Sequence, residues 1–294
     1  MSSADLRPEN NHATPLRFSV DGGLTLVADA WGDSGNPCVV LLHGGGQTRH
    51  AWAGTAATLA RAGWYAIAVD QRGHGESDWA ADGNYDRKRF AEDVIEVASA
   101  LPTPPVLVGA SLGGISSLAA IHRAKAPIAR ALVLVDIATR MEQKGLGRIF
   151  DFMHAAPDGF ANLEEAADAV AAYNPHRRRP SDLNGLKKNL RQGQDGRWRW
   201  HWDPRFIENP LPAEPPQEWN EFDAAAESLA IPTLLVRGRM SDILSEAGAQ
   251  VFLEQVPHAK YADISNAGHM VAGDRNDLFT DAVLEFLVEI REGS

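Results

Sequence analysis

A chain of 294 residues is long enough to bury one large core and to carry an inserted subdomain. With 44% hydrophobic and 23% charged residues it has the composition of a soluble globular protein. Its formal charge of −11, from 28 basic against 39 acidic residues, provides no global positive field to attract nucleic acid or an anionic membrane surface.

The single cysteine, Cys38, excludes an intrachain disulfide framework and a cysteine-based metal cage. It lies in the apolar run Cys38-Val39-Val40-Leu41-Leu42, so it is expected to be a buried core residue. The first twenty residues are polar and contain no apolar leader core, and no stretch approaches the roughly 18 apolar residues of a membrane span. A cytoplasmic protein is expected, with residues 1–14 disordered.

From there the chain repeats a rhythm of short apolar, β-branched runs, each ending in Gly, Asp or Ser and followed by an Ala-rich helical stretch. The runs are Leu24–Trp31, Val39–His43, Trp64–Asp70, Val106–Ala110, Ala131–Asp136, Thr233–Gly238 and Lys260–Ile264. Such a pattern predicts an α/β fold with a mostly parallel sheet covered by helices on both faces. No helix separates the first two runs, which suggests an antiparallel hairpin at one edge.

Between about Thr139 and Leu229 the rhythm stops. Helix-like segments such as Leu163–Ala172 appear there, with loops rich in Pro and Arg and no evident strand. The expected organisation is therefore a core of residues 15–138 and 229–294, with a helical cap, residues 139–228, inserted between two strands. Pro210 to Pro216 reads as a linker rejoining the sheet.

The chemistry-bearing motifs sit at strand ends. Gly109-Ala110-Ser111-Leu112-Gly113 follows the run at Val106 and opens a helix over Ile115–Lys125. This is the setting in which small residues two before and two after a serine allow a sharp strand-to-helix turn and lift its Oγ clear of the sheet. Ser111 is the expected nucleophile. His43-Gly44-Gly45-Gly46 follows another strand, and its glycines keep backbone N–H groups approachable, as a developing oxyanion requires. The expected donors are Gly45 and Leu112, with His43 bracing the loop.

Of ten histidines, His269 has the best context. Gly268-His269 follows the last strand and precedes a helix over Asn276–Glu292, where a loop at the carboxyl end of the sheet can bring an imidazole to the serine. His12, His50, His154, His201 and His258 read as surface or structural residues. For the carboxylate that must hold the imidazole there are two candidates: Asp242, just past Thr233–Gly238, and Asp136, at the end of Ala131–Asp136. Asp242 is favoured because its loop borders in sequence the one that carries His269. Asp136 is then assigned to the site floor or to a hinge of the cap.

In order along the chain, His43-Gly44-Gly45-Gly46, Asp70-Gln71-Arg72-Gly73-His74-Gly75-Glu76-Ser77, Gly109 to Gly113, Gly238 to Asp242 and Gly268-His269 resemble the landmarks of the α/β-hydrolase superfamily. The resemblance covers about residues 15–138 and 229–292. It implies a serine hydrolase acting through an acyl-enzyme, of the esterase or lactonase kind. The alternatives are a C–C bond hydrolase of a ring-fission diketone with the same triad, and a small-molecule receptor on the same fold. Epoxide hydrolases of this group place Asp where this chain has Ser111. One departure from the pattern stands out: many relatives carry the acid three residues after the strand-end glycine, whereas Asp242 lies four after Gly238.

The expected partner is a small-molecule substrate, with no nucleic acid, membrane, metal or organic cofactor. Monomer and homodimer are both left open. Within the insertion, Trp198, Trp200 and Trp202 alternate, placing three indoles on one face of an extended segment. Such a face must pack on the cap's own helices or over the mouth of the site. Arg177 to Arg179, with Lys187 and Lys188, could steer a carboxylate-bearing substrate or could simply form a solvated surface.

Overall fold

In the computed structural model, residues 13–174, 179, 183–208, 218–274 and 276–292 are described. The expectations for residues 1–12, for Arg177 and Arg178, and for Pro210 to Pro216 lie outside them. The strands are β1 (Thr14–Val20), β2 (Leu24–Trp31), β3 (Cys38–Leu42), β4 (Tyr65–Val69), β5 (Val106–Ala110), β6 (Ala131–Val135), β7 (Leu190–Gln192), β8 (Trp198–Trp200), β9 (Thr233–Gly238) and β10 (Lys260–Ile264). The helices are α1 (Ala53–Arg61), α2 (Arg87–Ser99), α3 (Leu112–Arg123), α4 (Gln143–His154), α5 (Leu163–Tyr173), α6 (Glu218–Glu227), α7 (Glu246–Gln255), α8 (Val271–Asp274) and α9 (Asn276–Glu292).

Eight strands form one sheet in the order β1-β2-β4-β3-β5-β6-β9-β10, parallel throughout except that β2 runs against both of its neighbours. The near-continuous apolar runs follow from this arrangement, because their side chains alternate between two covered faces. Val40, Leu42, Leu107, Leu132 and Leu134 face a layer containing residues of α2, α3, α6 and α7. Val39, Leu41, Val106, Val108 and Val133 face α1 and α9, including the fully buried Phe279, Val283 and Leu287. Cys38 is buried, as expected. No described helix is long and apolar enough to cross a membrane.

Two expectations are corrected here. The edge hairpin is β1 with β2, joined through Asp21–Gly23, and β2 pairs with β4 rather than β3. The strand β1 was missed because Leu16, Phe18 and Val20 alternate with polar residues on a sheet edge instead of forming an apolar run. The insertion is also not wholly helical. The strands β7 and β8 form a small antiparallel sheet, which the backbone pairing of Phe160 with Trp198 extends. Its last helix, α6, sends Phe222, Ala225 and Ala226 into the core beneath the sheet, so it packs as a core helix.

Sequential strands leave β3 in opposite directions, β4 on one side and β5 on the other. At such a switch point the loops diverge and open a crevice beyond the strand ends. Leu42 pairs with Gly109, so the glycine loop and the serine turn emerge side by side.

Candidate functional site

Ser111 occupies a backbone conformation foreign to most side chains, with φ 45° and ψ −113°. The turn closes only because of its glycines. A Cβ on Gly109 would lie 2.3 Å from the Gly113 carbonyl oxygen, and one on Gly113 would lie 2.3 Å from that of Leu42. This backbone contact seats the N-terminus of α3 directly over β3 and β5.

The hydrogen bonds around the turn leave two donors over. Ser111 N–H donates to Val135 O at 3.2 Å and Gly113 N–H to His43 O at 3.2 Å. In the glycine loop, Gly44 N–H donates to Gln47 Oε1 at 3.0 Å and Gly46 N–H to His74 Nε2 at 3.1 Å. The N–H groups of Gly45 and Leu112, the pair singled out from the sequence, have no acceptor among the described residues, and both residues line the same cavity as Ser111.

His269 lies just before α8 and lines that cavity too. Its Nδ1 is 2.7 Å from Asp136 Oδ2. Asp136 is wholly buried, with φ 52°, and its other contacts complete a cage: Gly238 N–H donates to Oδ1 at 2.9 Å, and the Ser241 hydroxyl donates to Oδ2. The structure thus corrects the favoured assignment of the acid. Asp242 turns away to Arg148 of α4 at 2.5 Å, with nearly half its side chain exposed. Ser241, three residues after Gly238, turns its hydroxyl to the carboxylate of Asp136.

Three histidines brace the glycine loop: His43, as expected, and also His74 and His201. His43 Nε2 accepts from Gln71 N–H and Nδ1 donates to Gly44 O. His74 Nε2 accepts from Gly46 N–H and Nδ1 donates to Arg72 O. His201, from the insertion, accepts at Nδ1 from Gly75 N–H at 2.7 Å and donates from Nε2 to Gly46 O at 3.2 Å. His201 was expected to be structural, but no local sequence signal indicated that it reaches this loop. Each ring accepts one backbone bond and donates another, so each must be neutral. Burial pushes His43 down to about 4 and, with His43 beside it, His74 to about 3. Burial and these two neighbours carry His201 well below the usual histidine range.

The cavity above the serine has a volume of about 730 Å³. Its walls are largely apolar and come from both core and insertion, among them Ile115, Phe152, Met153, Trp200, Trp202 and Phe206. Trp200 and Trp202 share a face as the alternation predicted, stacking at 5.1 Å with planes 12° apart. Trp198 instead packs against the separate cluster of Phe160, Ala166 and Leu190. Arg179 pairs with Asp168, whereas Lys188 lines the cavity. Among the described residues no group of three His, Cys, Asp or Glu side chains is arranged to hold a metal ion.

The neutral histidines make stability depend on pH. The unfolded chain protonates them below about pH 6.5, whereas the folded protein resists until about 4 for His43 and 3 for His74. The unfolded state therefore binds more protons in that window, and stability falls as pH drops. Unfolding free energy from urea titrations should decline below pH 6.5, with a slope approaching about 1.4 kcal/mol per pH unit for each of the two histidines. His74→Asn should remove one proton's worth of that slope; an unchanged slope would contradict the neutral-ring assignment.

Comparison with known proteins identifies the family. A family profile described as the alpha/beta hydrolase fold matches residues 37–275. The esterase Rv0045c of Mycobacterium tuberculosis is 32% identical over 85% of this chain and 82% of its own. The 3-hydroxybutyrate-oligomer hydrolase of Cupriavidus necator is 26% identical over 81% of this chain and 85% of its own. Among solved structures, E-2-(acetamidomethylene)succinate hydrolase superposes with a TM-score of 0.81 at 22% identity, over 94% of this chain and 99% of that one, a likeness of fold. The chain belongs to the α/β-hydrolase family.

Proposed function

We propose that this hydrolase cleaves carboxylic esters of apolar or aromatic small molecules through an acyl-enzyme on Ser111. The observation that carries the reading is the pairing of His269 with the caged carboxylate of Asp136 at 2.7 Å, in a cavity that also contains Ser111 and the unsatisfied N–H groups of Gly45 and Leu112. The naming of relatives as esterase and oligomer hydrolase supports the same bond type.

Ser111 Oγ attacks the ester carbonyl as His269 takes its proton through Nε2. Asp136 holds the Nδ1–H, which fixes the tautomer and stabilises the imidazolium. The carbonyl oxygen becomes an oxyanion facing the N–H groups of Gly45 and Leu112, which need no rearrangement to receive it. The imidazolium returns its proton to the departing alcohol. Water then attacks the acyl-enzyme, its proton passing to His269, and the acid leaves with Ser111 restored.

Ser111→Ala should retain the fold and lose turnover by about 10⁴ to 10⁶, while a fluorophosphonate probe should label the parent protein once, at Ser111. Labelling at another residue would remove the nucleophile from this scheme. Asp136→Asn should lower kcat by about 10⁴, because it favours the wrong imidazole tautomer. Asp242→Asn should cost less than about tenfold, since it breaks only a half-exposed pair; the reverse order would return the acid role to Asp242.

The wall of the cavity should set acyl or alcohol preference. Trp200 both lines the cavity and stacks among Phe152, Phe160 and Trp202, so truncating it removes packing and wall together. Trp200→Ala should lower stability toward the low end of the roughly 3–5 kcal/mol typical of a buried aromatic. It should also reduce kcat/KM for bulky aryl esters by about tenfold more than for acetate esters. Equal losses on both ester classes would assign Trp200 to packing alone.

A further inference from the structure

The cavity wall is electrostatically one-sided. Its lining among the described residues includes the cations Arg87 and Lys188 and the histidines His50 and His269, but no Asp or Glu, in a chain whose formal charge is −11. Thr48, His50 and Lys188 also border a second, adjoining cavity of about 360 Å³, whose walls hold Arg49, Lys187 and Arg191 against one carboxylate, Glu76.

These cations are not equivalent. Arg49 is fully engaged by Asp29, Asp70 and Glu76. Arg191 is exposed, donates to Gly75 O and lies over the Trp79 ring at 5.1 Å, and the charges of Asp70, Glu76 and Asp203 act on it. Lys187 and Lys188 have no ion-pair partner among the described residues. His50, at the junction, is made less basic first by burial and then by Arg49; Lys188 acts the same way, while Asp70 and Asp29, the latter 3.9 Å away, act against it. An unpaired ammonium beside an apolar cavity, with Lys187 next to it and no carboxylate lining that cavity among the described residues, focuses potential for an anionic ligand.

We infer that the substrate is an ester bearing a second, free carboxylate, which Lys188 holds where the two cavities meet, with Thr48 and His50 beside it and Lys187 supporting the field. This inference rests on the ester-hydrolase reading above and names its substrate class. The apolar wall takes the hydrocarbon portion, and the charged end fixes which way round the molecule lies. Lys188 touches substrate but no reacting atom, so its contribution should appear in KM.

The test compares mono-p-nitrophenyl esters of adipic and suberic acid with the corresponding neutral ω-amide esters, which match them in shape. In the parent protein kcat/KM should favour the free acids by about tenfold, and added salt should raise KM for the acids alone. Lys188→Met should bring the acid-to-amide ratio close to one, acting through KM, and Lys188→Arg should restore most of it. An acid-to-amide ratio near one in the parent, or a ratio that Lys188→Met leaves unchanged, overturns the inference while leaving ester hydrolysis in place. Failure of the parent to turn over either ester overturns both. The salt dependence is read on the unmodified protein, so it decides the matter even if the Met variant folds poorly.

Discussion

The carboxylate of Asp136 sits at the end of β6 with no exposure to water, and a group so placed is tolerable only if its lone pairs are occupied. Its three partners come from two other chain segments: Gly238 N–H and the Ser241 hydroxyl from the end of β9, and the His269 ring from beyond β10. The same residues lock those loops to one another. Arg239 N–H donates to Ile264 O, Met240 N–H donates to Ala267 O, and a Cβ on Gly238 would strike the Gly268 carbonyl at 2.2 Å. One buried carboxylate therefore ties the ends of β6 and β9 to the His269 ring, which lines the same cavity as Ser111. Removing any one partner would leave the others holding an under-satisfied carboxylate, which is why the arrangement behaves as a unit.

How much of this could be read from residues alone depends on the range of each constraint. The serine turn is a local matter of Gly109, Ser111 and Gly113, and its glycines are demanded by backbone contacts within a few residues or with the adjoining strand. It was legible. So was His269, placed by its position after the last strand. The acid was not, because the choice between Asp136 and Asp242 turns on which loops meet in space. The one-residue offset after Gly238 was the available signal: position 241 carries the hydroxyl that serves Asp136. The sheet strands were legible because both faces are covered. The strands β7 and β8 are three residues each, too short for periodicity, although Asp195-Gly196 between them marks a turn and Gly196 has φ 78°.

The insertion and the oxyanion loop are joined by neutral hydrogen bonds. His201 grips the backbone of Gly46 and Gly75, and His74 grips Gly46 from the core side, so Gly46 is held at both its N–H and its carbonyl. Gly45, the proposed oxyanion donor, is its immediate neighbour. A ring that donates on one edge and accepts on the other suits this task, since it keeps charge out of a site where a developing negative charge is meant to find only fixed dipoles. Burial enforces the neutral form, so the geometry and the titration behaviour have one cause.

The two aspartates divide two tasks. With Asp136 holding the imidazole, the loop after β9 is free to anchor the insertion. Asp242 pairs with Arg148 of α4, whose guanidinium also reaches the Tyr173 carbonyl at the end of α5. A Cβ on Gly145 would lie 2.0 Å from the Asp242 carbonyl oxygen, so α4 is seated directly on that backbone. The anchor is half-exposed and tolerates solvent, whereas the Asp136 carboxylate is buried and does not. The surface ion pair is worth about 1 kcal/mol or less, so it is the seating of α4 on the Asp242 backbone, next to Ser241, that ties the insertion to the loop holding Asp136.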